Sequence, residues 1–173
     1  MRDRTNREKI EEFMNSLGRK ARHPVRVYFT GGTTAVLFGW RDTTIDIDLR
    51  FEPDLDELYR ELPLLKEKIG INIELASPSD FIPALPGWED RSKYIDRKGK
   101  VDFYHYDPYS QALSKIERGH TQDIKDVESM FKSRLIEKEK LAALFREIEP
   151  MLYRYPAIDP ASFARAVSRV IKG

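Results

Sequence analysis

The chain has 173 residues, 34% of them charged, with 30 Lys and Arg against 29 Asp and Glu, a formal net charge of +1 and no cysteine. Disulfides and thiolate metal sites are therefore excluded, no apolar run approaches the ~18 residues of a membrane-spanning helix, and the balanced charge gives no global pull toward nucleic acid. The length favours one domain that buries roughly 70% of its unfolded surface. The start, Met1-Arg2-Asp3-Arg4, leads into charge rather than an apolar leader, so the expectation is a cytoplasmic protein with no membrane partner.

Thr5 is expected to open a first helix, with Glu8 completing a capping box. Ile10, Phe13, Met14 and Leu17 form its apolar stripe, and Gly18 is its expected stop. Val25 to Thr30 reads as a strand, broken by Gly31-Gly32, and Thr33 to Trp40 as a short helix. Ile45, Ile47, Leu49 and Phe51 alternate with Asp46, Asp48 and Arg50, the pattern of a half-buried strand. A helix is predicted from Pro53-Asp54 to Gly70, bent at Pro63. Ile71, Ile73 and Leu75 give a third strand, and the prolines of residues 77–90 give a loop. Lys93 to Asp96 and Lys100 to Tyr106 predict a hairpin around Lys98-Gly99.

From Pro108 onward the periodicity is helical. Stripes are carried by Tyr109, Ala112, Leu113 and Ile116, by Ile124, Val127 and Phe131, and by Leu141, Leu144, Phe145 and Ile148. A last helix begins at Asp159-Pro160. The order predicts an α+β protein. Residues 1–107 form its α/β core, and a helical part, 108–173, packs on the same single domain.

Asp46 and Asp48 lie two apart on a strand and so share a face, ~6.6 Å apart along the backbone. A neighbouring strand can bring Glu74 to them. Clustered carboxylates repel one another, and a divalent cation removes that repulsion. Three carboxylates suit two Mg²⁺ ions ~3.5–4 Å apart that clamp attacking and leaving oxygens in phosphoryl transfer; Mn²⁺ is the alternative ion. The competing reading is the solvated face of an edge strand. Gly31-Gly32 upstream shifts the balance, because glycine lets a phosphate approach backbone N–H groups. Thr33 or Thr34 adds a hydroxyl at a helix start. No Gly-Lys-Ser/Thr follows, so this is not a Walker A loop. Arg41 is a further candidate phosphate ligand, or else a surface arginine.

The run from Gly31 to Asp48, with its Gly-Gly, short helix and Arg41-Asp42-Thr43-Thr44-Ile45-Asp46-Ile47-Asp48, resembles the signature of the polymerase-β-like nucleotidyltransferase superfamily. It looks most similar to the minimal bacterial branch with the AbiEii-type toxin–antitoxin enzymes. A second similar block runs from Asp107 to Arg118 and on through Gln122-Asp123-Ile124-Lys125-Asp126-Val127. The resemblance implies a nucleotidyltransferase fold with a mixed central sheet flanked by helices. It implies that Gly31, Gly32 and Thr33 hold a triphosphate, that Asp46 and Asp48 ligate metal, that Lys115 contacts phosphate, and that Asp123 orients it or serves the acceptor. Glu74 fits the third acid by strand order and parity, and Asp102 competes for it. Lys115 has a second reading, bordering the core with its head in water, and Asp123 and Asp126, opposite the Ile124, Val127 and Phe131 stripe, a second reading as ion-pair partners of Lys or Arg neighbours.

The function so implied moves a nucleoside monophosphate from a nucleoside triphosphate to an acceptor hydroxyl. The acceptor is open among tRNA, protein and small molecule, and a toxin would have a cognate antitoxin as partner. The alternative is an inactive binding or regulatory module. Tyr104-His105-Tyr106 could stack a base or simply pack a sheet edge. The three histidines, His23, His105 and His120, lack metal-ligand spacing. The first 26 residues carry a basic bias, diluted by Asp3, Glu8, Glu11 and Glu12.

Overall fold

The computed structural model describes residues 4–173; Met1, Arg2 and Asp3, the first part of the charged start, lie outside the described residues. Two compact units make up the chain. The first comprises Met1–Ser77 with Ser92–Tyr106, and the second Pro78–Arg91 with Asp107–Gly173.

The first unit holds β1 (Thr5–Asn6), α1 (Arg7–Lys20), β2 (Val25–Thr30), α2 (Gly32–Leu37), β3 (Thr43–Thr44), β4 (Asp46–Glu52), α3 (Asp56–Ile69) and β5 (Asn72–Leu75). A short helix, α4 (Trp88–Arg91), belongs to the second unit, and the chain then returns to the first with β6 (Lys93–Lys98) and β7 (Val101–His105). Five strands form one mixed sheet in the order β5-β4-β2-β7-β6. Strand β2 runs antiparallel to β4 and parallel to β7, and β4 runs parallel to β5. The expected α+β architecture is present.

Period-two alternation gives the sheet two chemically different faces. Val25, Val27 and Phe29 of β2, Ile47, Leu49 and Phe51 of β4, and Val101 and Phe103 of β7 join Ile10, Phe13, Met14 and Leu17 of α1 and Leu58, Leu62, Leu65 and Ile69 of α3 in one core. Each large side chain so buried contributes ~1.5–3 kcal/mol. The opposite face carries Asp46, Asp48, Arg50 and Glu52 on β4 and Arg26, Tyr28 and Thr30 on β2.

Several boundaries differ from the sequence expectation: α3 starts at Asp56 rather than Pro53-Asp54, and the expected loop of residues 77–90 holds a 3₁₀ turn and the start of α4. Thr5 is fully buried and pairs with Thr44, so the cap of α1 moves to Asn6, whose side chain accepts from the Lys9 N–H at 2.9 Å. Gly18 does not end α1. The β6–β7 turn crosses the helix there, and a Cβ on Gly18 would fall 2.5 Å from the Lys98 Cβ. Helix α2 ends at Leu37 rather than Trp40, because the chain turns at Phe38-Gly39, whose N–H groups bond to Thr34 and Val36 carbonyls at 3.0 Å. Pro63 lies inside α3.

The second unit adds a 3₁₀ turn (Pro78–Asp80), α5 (Pro108–Arg118), α6 (Thr121–Lys132), α7 (Lys138–Ile148), a second 3₁₀ segment (Glu149–Arg154) and α8 (Pro160–Lys172). Helix α5 is central and packs on α4, α6, α7 and α8. Its start is held by Asp107, fully buried, which accepts from the Tyr109 and Ser110 N–H groups and, bidentately, from Arg91 at 3.1 and 2.8 Å. Four charge-assisted contacts compensate the burial of that carboxylate. Among the described residues no helix is long and apolar enough to cross a membrane.

Candidate active site

Asp46 and Asp48 enter the site from β4, and β5 supplies the third acid. The parallel register sets Asp48 opposite Glu74 and Asp46 opposite Asn72. Opposed residues project to one face, and one oxygen from each of Asp46, Asp48 and Glu74 lies within 4.8 Å of the others. Asp46 and Asp48 are half-buried and Glu74 is exposed, so the cluster opens to solvent. Asp102 stands elsewhere. It pairs with Arg26, four residues before Thr30, the partner of Asp48. That is ~13 Å down the strand. Its carboxylate is chelated by Arg97 at 2.8 and 2.9 Å, and this bond holds it below the usual carboxylate range. Glu74 is therefore the acid that the fold sets beside the pair.

The glycine turn closes over the same strand end. Gly31 adopts φ +64°, and a Cβ there would sit 2.8 Å from Asp48 Oδ2. A Cβ on Gly32 would sit 2.0 Å from Thr44 Oγ1, and Arg41 Nη1 lies 3.5 Å from that same point. Only glycine lets this backbone come so close to the aspartate strand. Thr33 and Thr34 are both buried. The Thr33 hydroxyl reaches the Asp46 carbonyl at 3.5 Å, and the Thr34 hydroxyl lies 3.0 Å from His105 Nδ1. Their side chains thus brace the turn internally.

Sequence reading missed two residues of this site. Asn72 donates its amide to Asp46 Oδ1, and the Thr44 hydroxyl donates to the Asp46 carbonyl at 3.3 Å. The signal for Asn72 was available: it has the strand parity of Glu74. Thr44 had none, because its place depends on β3 pairing with β1.

Lys115 and Asp123 lie in the second unit. Lys115 is buried and bonds to Asp126 Oδ2 at 2.8 Å, with Asp123 at 3.8 Å. Gln122 also reaches Asp126, at 3.1 Å. Asp123 accepts from Arg118 and from the His120 N–H. Burial pushes the Asp123 carboxyl up, but the Arg118 bond and the nearby cations more than offset it, and the net direction is downward. The second reading of Asp123 and Asp126, as ion-pair partners of Lys and Arg neighbours, is present in these pairs, but their expected place opposite the apolar stripe is corrected. Both are buried with Val127 and Met130, because α5 presents Lys115 to them, while Ile124 and Phe131 stay partly open. The fold thus assembles the acids, the glycine turn and Arg41 in one unit, and Lys115 with Asp123 in the other.

Comparison with protein families matches residues 7–164 to the family described as "Nucleotidyltransferase of unknown function (DUF6036)". The chain belongs to that family. Neither comparison with curated proteins nor comparison with solved structures found a match. Membership agrees with the mixed sheet and with a cluster of three acids that could hold a metal ion.

Proposed function

We propose that the chain is a Mg²⁺-dependent nucleotidyltransferase that moves a nucleoside monophosphate from a nucleoside triphosphate to an acceptor hydroxyl and releases pyrophosphate. The carrying observation is the convergence of Asp46, Asp48 and Glu74 within 4.8 Å, under a glycine turn too close for any side chain. An all-oxygen, acidic donor set of this kind fits a hard divalent cation. Asp46 and Asp48 would hold Mg²⁺, which supplies charge neutralisation on the phosphates when bound. Asn72 and Thr44 fix Asp46 from two sides. Backbone N–H groups of Gly31 and Gly32, with Arg41, receive the triphosphate. The acceptor oxygen attacks the α-phosphorus as the bond to the β-phosphate oxygen breaks. Glu74, the most open of the three acids, completes the ligand set and takes the hydroxyl proton. Such catalysis is mostly positioning and charge stabilisation.

Transfer of label from an α-labelled nucleoside triphosphate in Mg²⁺ tests the reading. Transfer is expected from the wild type and not from the Asp46→Ala/Asp48→Ala variant; transfer that survives the double substitution overturns it. Similarity of the motif blocks to the AbiEii-type branch supports a finer proposal, that the chain is the toxin of a toxin–antitoxin pair. Growth arrest on expression, relieved by the same double substitution, tests that.

One observation favours a second reading, an inactive binding module. Lys115, the lysine that the resemblance assigns to phosphate, is committed to Asp126. Stabilisation by nucleoside triphosphate with no transfer to any acceptor would decide for it.

A further inference from the structure

The acid-bearing face of the sheet also carries a row of aromatic rings. Register pairs Arg50 with Tyr28, Tyr28 with Tyr104, and Tyr104 with Tyr94, so one row crosses β4, β2, β7 and β6 a single step below the Asp48–Thr30 row. The Tyr28 and Tyr104 rings stack at 5.2 Å and 25°, and Tyr94 meets Tyr104 edge-on at 5.5 Å and 76°. Exposure rises along the row. Tyr28 is buried, Tyr104 half-buried, and Tyr94, on the edge strand, is 58% exposed.

Tyr94 is out of character for its strand. An edge strand is normally blunted by charge, and β6 otherwise does this with Lys93, Asp96, Arg97 and Lys98. A large ring left open among those charges, backed by a rigid stack, is the surface on which an unpaired base stacks. Exposed Arg26 and Arg97 lie on the same face one row further from the acids, Arg97 held on Asp102, and they bring cationic side chains to the path of a phosphate backbone. Two sheet steps of ~4.8 Å, from β4 across β2 to β7, and two residues along the strand put Tyr104 ~12 Å from Asp48, roughly three stacked nucleotides at ~3.4 Å each.

We infer that the acceptor is a single-stranded polynucleotide whose terminal hydroxyl reaches the acids while an upstream base stacks on Tyr94 and Tyr104. This rests on the transferase reading for the hydroxyl but not for the stacking. The test is fluorescence anisotropy of a labelled single-stranded RNA dodecamer, and its DNA counterpart, with the full chain and no nucleoside triphosphate. Tyr94→Ala is expected to weaken binding about fivefold or more, while Tyr94→Phe and Tyr94→Trp keep it. With α-labelled triphosphate, Tyr94→Ala should raise KM for the oligonucleotide and leave kcat and the nucleotide KM unchanged. Failure of both oligonucleotides to bind, equal binding by Tyr94→Ala, loss in Tyr94→Phe as large as in Tyr94→Ala, or label landing on protein regardless of Tyr94 would each overturn the inference. Tyr94-dependent binding with no label transfer supports the stacking subsite and overturns the transferase reading instead.

Discussion

Glu74 stands directly opposite Asp48 across the parallel strands β4 and β5, and with Asp46 they form a cluster of three carboxylates. Without a cation their charges oppose one another. Asp48→Asn is expected to stabilise the metal-free protein by on the order of 1 kcal/mol. The same change should abolish the rise in melting temperature that Mg²⁺ gives the wild type. Thermal denaturation with and without Mg²⁺ reads both effects, and a metal response that persists in Asp48→Asn would refute the assignment of that ligand.

Gly32 is the tightest point of the glycine turn. Gly32→Ala places a methyl 2.0 Å from Thr44 Oγ1 and 2.8 Å from its Cβ. Thr44 is short and buried, so it has little room to yield. A loss of about 1–3 kcal/mol in urea denaturation is expected. Gly31→Ala should lose stability through its φ of +64°, which an L side chain rarely adopts, and lose the Mg²⁺ response as well, because its Cβ would crowd the Asp48 carboxylate.

Lys115 and Asp126 are both almost fully buried and bond at 2.8 Å. Removing one partner strands the other's charge, so Lys115→Met is expected to cost about 3–5 kcal/mol. Adding Asp126→Leu should return most of that loss. Chemical denaturation of the two single variants and the double variant measures the coupling; additive losses would show that the pair does not hold α5 to α6.

His105 is buried on the core face, stacked at 4.5 Å on Phe38, and burial pushes its imidazole down to about 4. The unfolded chain takes up this proton near 6.5 and the folded chain only near 4. Stability is therefore full above about 6.5 and is lost as pH falls from there toward 4. The loss between pH 7.5 and pH 5 should be about 2 kcal/mol from this group. His105→Gln should show a flatter pH dependence over that window, measured by urea denaturation at the two pH values.

Local pattern and tertiary placement divided the work unevenly in this protein. Strict alternation from Ile45 to Phe51 was enough to put Asp46 and Asp48 on one face, because a strand has a period of two whatever surrounds it. The break at Gly31-Gly32 and the helical stripes from Tyr109 to Val170 were legible for the same local reason. The ends of α1 were not, whereas the stop at Gly70 and the starts at Pro108 and Asp159-Pro160 were: Thr5 was drawn into pairing with Thr44, and Gly18 served a crossing chain rather than a stop. Both outcomes depend on segments distant in sequence. The choice between Glu74 and Asp102 was undecidable from sequence, since both alternate correctly within their strands. Only the strand order β5-β4-β2-β7-β6 put one beside Asp48 and gave the other to Arg97. Likewise, spacing set Asp123 and Asp126 three residues apart on one side of a helix, but only the packing of Lys115 against them turned a solvated face into a buried ion network. Periodicity assigns a side chain to a face; which partner covers that face is decided by the register and packing of the folded chain.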